Sequence, residues 1–312
     1  MPPANSRTIL EDNVPAGAPD ATESRLAAGT ITNAMTVDVE DYFQVSAFEG
    51  HISRDDWENL PCRVEANTQR VMSLFDRHGV KATFFVLGWV CERFPQLIKD
   101  IVANGHELAS HGYEHTRANT QDRETFADDV SRTRKLLEDT GGVQVRGYRA
   151  ASFSIGRDNL WAHDVLLEAG YEYSSRIYPV RHDLYGVPDA PRFPFRREEG
   201  GLLEIPITTV KALIGNLPCG GGGYFRLLPF QYFKWAVNRV HRVDGRPSIF
   251  YFHPWEVDPE QPRQSQASWK SRFRHYNNLD KMEPRLERLL ATFAWGRMDE
   301  AFADQEVALW SS

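Results

Sequence analysis

The stretch KATFFVL (81–87) is a continuous run of β-branched and aromatic residues with helical patterns on both sides of it. A strand with no polar face must be covered from both sides, which parallel sheets packed between helices achieve and half-solvated antiparallel sheets do not. The rest of the chain repeats that rhythm. Strands are expected at NAMTVDV (33–39), ELASH (107–111), VQVRGYR (143–149), YEYSS (171–175), LLEIPI (202–207) and SIFYFH (248–253). Helices are expected over 64–78, where Val71, Leu74 and Phe75 recur at helical spacing, and over 95–104, 123–139 and 157–169. Gly105 ends the second of these as a C-terminal cap. Such alternation specifies an α/β fold of parallel βα units. About seven strands suit a barrel-like (β/α) closure better than an open sheet, although periodicity alone leaves both open.

At 312 residues, 41% apolar and 25% charged, the chain can bury a sizeable core. Its net charge of −7 lacks the basic footprint of a nucleic-acid binder. No basic run is long enough to argue for an anionic membrane surface. Cys62, Cys91 and Cys219 are odd in number and lack CxxC spacing, so free thiols in a reducing compartment are expected. The most apolar stretch, ATFFVLGWVC (82–91), is about half as long as a bilayer-spanning helix. No charged start followed by an apolar run opens the chain, which sets the expectation of a cytoplasmic protein, peripheral to the inner membrane at most. Residues 1–30, rich in Pro, Ala and small polar residues, read as a flexible lead-in.

In parallel βα folds the working groups gather where strands end. Those ends carry Asp38, Glu40 and Asp41 in VDVED, His111 and His115 in SHGYEH, Arg149 in YRAASF, and His253 in YFHPWE. Singly, each has an ordinary reading: carboxylates cap turns, lone histidines hydrogen-bond at surfaces, and buried arginines pair with acids. Together they are the parts for two imidazoles and a carboxylate around a divalent metal with open positions. A spare carboxylate then serves as base and a distant histidine as acid, which is metal-assisted hydrolysis. In GHELASHGYEH (105–115), His106 and Glu107 begin a string similar to HExxH, but the next histidine is five positions on and would diverge on a helix. His111 and His115 have the workable spacing, with Gly112 letting the loop fold back, and His106 is read as structural.

KATFFVLG (81–88), GHELASHGYEH (105–115), YRAASFS (148–154) and FYFHPWE (250–256), in that order, resemble the polysaccharide deacetylases of the NodB-homology group, the fourth carbohydrate esterase family. The resemblance covers about residues 33–258. DVEDYFQV (38–45), HDLYGVP (182–188), GGGYFRLLP (221–229) and HPWEVDPEQPR (253–263) further resemble the subfamily found at exosortase-linked (PEP-CTERM) exopolysaccharide loci. RFRHYNNLDKMEPRLERLLATF (272–293) resembles the C-terminal extension of that subfamily. The resemblance implies a distorted (β/α) barrel of about seven units over 31–258, and an extension over 259–312 packed on it. It also implies one divalent metal, usually zinc, with cobalt, nickel or iron suited to the same donors.

Carried over by position, Asp38 is the expected base, Arg149 its holder, His111 and His115 metal ligands, and His253 the acid that protonates the leaving amine. The metal and a backbone N–H near Ser152 are expected to stabilise the oxyanion. The usual TFDDG reads TVDVED here, so the metal carboxylate is Glu40, with Asp41 as the alternative. Arg-x-Pro reads Arg149-Ala150-Ala151, and Ser174 and Ser175 stand where an aspartate partner for the acid histidine was expected. CGGGGYFRLLP (219–229) lacks the Lys-Ser/Thr of a phosphate loop and reads as a cleft rim where Tyr224 approaches a sugar, or as a plain loop. Tyr42 and Trp255 are candidates for stacking on sugar faces, against the commoner fate of core packing. The reading is an N-deacetylase acting on an N-acetylated poly- or oligosaccharide of an exopolysaccharide or its lipid-linked precursor, in association with membrane-bound exopolysaccharide machinery. An allantoinase-like hydrolase of non-sugar amides and a degenerate glycan-binding protein are the alternatives.

Overall fold

The computed structural model describes residues 31–180 and 186–310; the lead-in expected over 1–30 and residues 182–185 of HDLYGVP lie outside them. The strands are β1 (Asn33–Val39), β2 (Thr83–Val86), β3 (Glu107–Ser110), β4 (Gly147–Tyr148), β5 (Tyr173–Ser174), β6 (Phe195–Arg196) and β7 (Leu203–Glu204). A hairpin of β8 (Thr209–Ala212) and β9 (Gly215–Pro218) precedes β10 (Ile249–Phe252), and β11 (Trp295–Gly296) and β12 (Ala308–Leu309) follow. The helices are α1 (Val64–Arg77), α2 (Gly88–Arg93), α3 (Pro95–Ala103), α4 (Arg123–Gly141) and α5 (Ala162–Glu168). After them come α6 (Gly222–Leu227), α7 (Phe230–Arg239), α8 (Trp269–Tyr276), α9 (Met282–Thr292) and α10 (Met298–Ala301).

Seven strands run parallel side by side in the order β10-β1-β2-β3-β4-β5-β7, and β6 joins antiparallel to β7. This is the barrel-like arc of βα units expected from the sequence. It is distorted: no ladder joins β10 to β7 among the described residues, and only a bridge from Gly221 to Tyr251 lines the free side of β10. Residues beyond 258 are woven into the sheet, since β11 pairs with β1 and β12 with β6.

The two-residue period of the strands sorts the core into two layers. Met35, Val37 and Val39 of β1, Phe84 of β2 and Phe252 of β10 pack outward against Val71, Leu74 and Phe75 of α1. Ala34, Phe85, Ala109, Tyr173, Ile249 and Tyr251 form a second, inner cluster. Counting on by twos from those inner residues reaches Thr36, Asp38, His111, Ser175 and His253. The pleat alone therefore aims the chemistry of several strands into one interior.

The strands expected at 143–149, 171–175 and 202–207 are cut to two residues each. The 143–149 segment forms a ladder only at Gly147–Tyr148 because α4 takes the backbone groups before it: Val145 N–H donates to Glu138 and Val145 C=O accepts from Arg134. The helix expected over 157–169 splits into a 3-10 turn, Arg157–Asn159, and α5. Phe85, fully buried, lies under the Arg149 guanidinium at 4.1 Å. Phe85→Ala removes that ring from the inner layer and is expected to cost about 3–5 kcal/mol in urea denaturation.

Candidate metal centre

Glu40, His111 and His115 are buried, and one donor atom of each lies within 4.8 Å of the others. His111 leaves the end of β3 with its Nδ1 2.8 Å from the carbonyl of Arg149. Nδ1–H is therefore the donor, and Nε2 keeps a bare lone pair for a cation. The chain then reverses through Gly112 (φ 78°), and His115 itself is held at φ 53°, a conformation side chains seldom adopt. Such strain is kept where it positions a ring. Glu40 Oε2 lies 2.9 Å from His115 Nε2 but lacks hydrogen-bond alignment with it or with any other partner. A buried carboxylate oxygen left unpaired between imidazoles is costly by itself. It fits a divalent cation shared by the three donors. Burial pushes His111 down to about 4, so it is neutral, as a ligand must be. Burial alone would raise Glu40, yet His115 and His253 hold it well below the usual carboxylate range.

Asp41, the alternative carboxylate, is turned away. Its Oδ2 accepts from the backbone N–H groups of Arg63 and Val64 at 2.5 and 2.7 Å and from Cys62 Sγ, and its Oδ1 accepts from Tyr42 N–H. It satisfies open donors at the start of α1, and no oxygen remains for a metal.

Asp38 stays outside the cluster of donors. Its Oδ1 accepts from Arg149 Nη1 at 2.6 Å. The same Nη1 donates to Thr36 Oγ1, while Nε and Nη2 donate to the carbonyl and hydroxyl of Ser175. Ser175 thus serves the arginine, and Ser174 donates to Glu204.

The partner of His253 is Glu256, three residues on in the same HPWE segment and not singled out from the sequence. His253 Nδ1 lies 2.8 Å from Glu256 Oε1, and its Nε2 3.5 Å from Glu40 Oε1. Glu256 Oε2 accepts from Arg226 Nε at 2.7 Å, and Arg226 donates in turn to the carbonyls of Arg274, His275 and Asn277. A Cβ on Gly222 would lie 2.3 Å from Glu256 Oε1, so the glycine run clears the space for this carboxylate. The available signal was an acid at i+3 from the histidine. Burial disfavours the His253 imidazolium, but Glu40 and Glu256 outweigh it and hold the group up at about 9. A cation on Glu40 would cancel part of that push, leaving Glu256 as the lasting one.

One expected sugar platform is corrected. Tyr42 is fully buried, with its ring edge-on to Phe43, and does not reach the cleft. Trp255 borders the cleft but is nearly buried, its ring stacked with those of His253 at 5.1 Å and His275 at 4.0 Å and its Nε1 donating to Glu40 Oε1, so it also orders the centre. Ser152, held at φ 53°, and Tyr224 do line the cleft, which encloses about 430 Å³ with Asp38, Glu40, His111, His115 and His253.

Residues 54–174 match the polysaccharide deacetylase family model, and residues 174–303 match that of a domain of unknown function, DUF3473. The comparisons support the polysaccharide deacetylase family. The two matches meet at Ser174, inside the continuous sheet. The first holds His111, His115 and Arg149, the second holds Arg226, His253 and Glu256, and Asp38 and Glu40 precede both. A peptidoglycan-N-acetylglucosamine deacetylase of Bacillus cereus is 31% identical over 96 residues, 30% of this chain and 35% of that protein. A peptidoglycan deacetylase of Helicobacter pylori is 27% identical over 133 residues, 43% of this chain and 44% of that protein. The chain therefore spans less than half the length of either relative. A crystal structure from Mycobacterium smegmatis, described as a candidate polysaccharide deacetylase, matches over 92% of both chains with a TM-score of 0.58 and 19% identity, a likeness of fold.

If Glu256 supports the His253 charge, NMR titration of the metal-free protein finds His253 protonated well above the ordinary histidine range. Glu256→Gln lowers that midpoint by about one to two pH units, the worth of one charge-assisted hydrogen bond.

Proposed function

We propose that this chain hydrolyses the N-acetyl group of an amino sugar, releasing acetate and leaving the free amine. The observation that carries the proposal is a carboxylate, Asp38, locked to Arg149 beside a three-donor cluster it does not join, with an acid histidine in the same cleft. The names of the relatives, deacetylases of N-acetylglucosamine in peptidoglycan, support the same chemistry. Glu40, His111 and His115 would hold one divalent cation, usually zinc, which would supply a Lewis acid for the acetyl carbonyl.

Asp38 takes the proton of the attacking water, and the hydrogen bond from Arg149 orients it for that task. As the water oxygen bonds to the acetyl carbon, the strained backbone at Ser152 lines the wall nearest the developing oxyanion. When the carbon–nitrogen bond breaks, His253 gives a proton to the departing nitrogen and Glu256 holds the ring. Tyr224 is assigned to the sugar.

The resemblance of the C-terminal segments to the exosortase-linked subfamily extends the proposal to an exopolysaccharide or its lipid-linked precursor, modified at the cytoplasmic face. The division into a deacetylase domain over 31–258 and an extension over 259–312 belongs to the same reading.

N-acetylhexosamine oligomers are expected to release acetate on incubation with the protein, and small cyclic amides are not. Asp38→Asn lowers the rate by about 10²–10⁴-fold; an unchanged rate would remove Asp38 as the base. Glu256→Gln slows the amide reaction by about 10–100-fold. It spares an activated aryl acetate, whose leaving group needs no proton.

A further inference from the structure

The β8–β9 hairpin turns through two residues, Leu213 and Ile214, with Ala212 paired to Gly215 below them. Both side chains stand fully in solvent, at 107% and 86% exposure. Turns of this length favour Gly, Asn or Asp, so turn geometry does not ask for two large aliphatics. Packing does not ask for them either. The hairpin is anchored further down by Val210 and Leu217 in a cluster with Ala236 and Tyr232 of α7, and the tip adds nothing to it.

The surface beside the tip is cationic. Arg239 Nε donates to the carbonyl of Lys211, which ties the end of α7 to the hairpin two residues short of the tip. Trp235 and Arg239 are four apart on α7, and Arg242 and Val243 follow on the π-helical turn Val240–Asp244, so an exposed stripe mixes apolar and cationic side chains. Among the described residues Lys211, Lys234, Arg239 and Arg242 have no acidic partner. The one carboxylate between 209 and 246, Asp244, is paired with Arg192. Elsewhere the exposed arginines Arg70, Arg123 and Arg132 are each matched to a glutamate. In a chain of net charge −7 this patch is a local reversal of sign. Its cations are scattered over thirty positions of sequence and gathered only by the fold.

We propose that the Leu213–Ile214 tip and the adjoining cationic stripe dock the protein on a lipid bilayer carrying anionic headgroups. Leu213 and Ile214 enter the acyl boundary, Lys211, Arg239 and Arg242 meet headgroup phosphates, and Trp235 lies at the interface. An apolar tip alone would suit a protein groove. Uncompensated cations set directly beside it fit a sheet of negative charge. No helix of the described residues is long enough and apolar enough to cross a membrane, and the attachment proposed here is a peripheral one. The proposal does not depend on the hydrolase reading.

The test is sedimentation of the full chain with vesicles of phosphatidylcholine alone or with about one third phosphatidylglycerol, at low and high salt. Binding is expected on the anionic vesicles, weakened by salt. Lys211→Glu/Arg239→Glu is expected to weaken it by at least about thirtyfold, roughly fivefold for each cation removed. Leu213→Asp/Ile214→Asp is expected to abolish it. Circular dichroism and acetate release from a soluble oligomer check that both variants fold, since neither pair belongs to the cleft. Absence of binding to anionic vesicles, or binding that survives both variants, overturns the proposal. So does an ultracentrifuge result in which the wild type is a dimer that Leu213→Asp/Ile214→Asp dissolves, which would assign the patch to a second copy.

Discussion

A fully buried guanidinium organises this molecule. Arg149 follows β4, donates to Thr36 and Asp38 on β1 and to Ser175 after β5, and rests on Phe85 of β2. Its own carbonyl fixes the ring of His111 after β3. A buried charge of this kind is tolerable only if it is paired and its protons are satisfied. Asp38, Thr36 and Ser175 supply the oxygen acceptors it needs. One side chain thus couples neighbouring strands of the sheet, the orientation of the candidate base and the tautomer of a candidate metal ligand.

The acid side is built separately and depends on the C-terminal third of the chain. His253 is held by Glu256, Glu256 by Arg226, and Arg226 by three carbonyls at and just after the end of α8. Arg226 and His253 outweigh the effect of burial on Glu256 and hold it down at about 2. The region matched only to a domain of unknown function is in this sense part of the centre. It also carries His275, whose ring stacks on Trp255 as that of His253 does.

The sheet and most of the centre were legible because they follow from simple periods. β1 spans the expected residues, and alternation along β1, β3 and β10 carries Asp38, His111 and His253 to one side. What was not legible depended on contacts between distant segments. Glu40 and Asp41 are adjacent acids, and only the backbone N–H groups of Arg63 and Val64 decide which one is consumed by a helix start. Tyr42 and Trp255 looked alike as aromatics beside acids, yet one is sealed in the core and the other borders the cleft with two imidazoles stacked on it. The glycines of 220–223 gave no sign of their purpose until Glu256 was seen to fill the space a Cβ on Gly222 would need. The β8–β9 hairpin went unread because its turn has none of the usual residues.

The central claim is that Glu40, His111 and His115 grip one cation and leave Asp38 free. Calorimetric titration of the chelator-stripped protein with zinc tests it most directly. The account predicts one ion per chain, with affinity kept in Asp38→Asn and weakened by more than about a hundredfold in His111→Ala. Failure of the wild type to bind, or equal binding by the His111 variant, would contradict it.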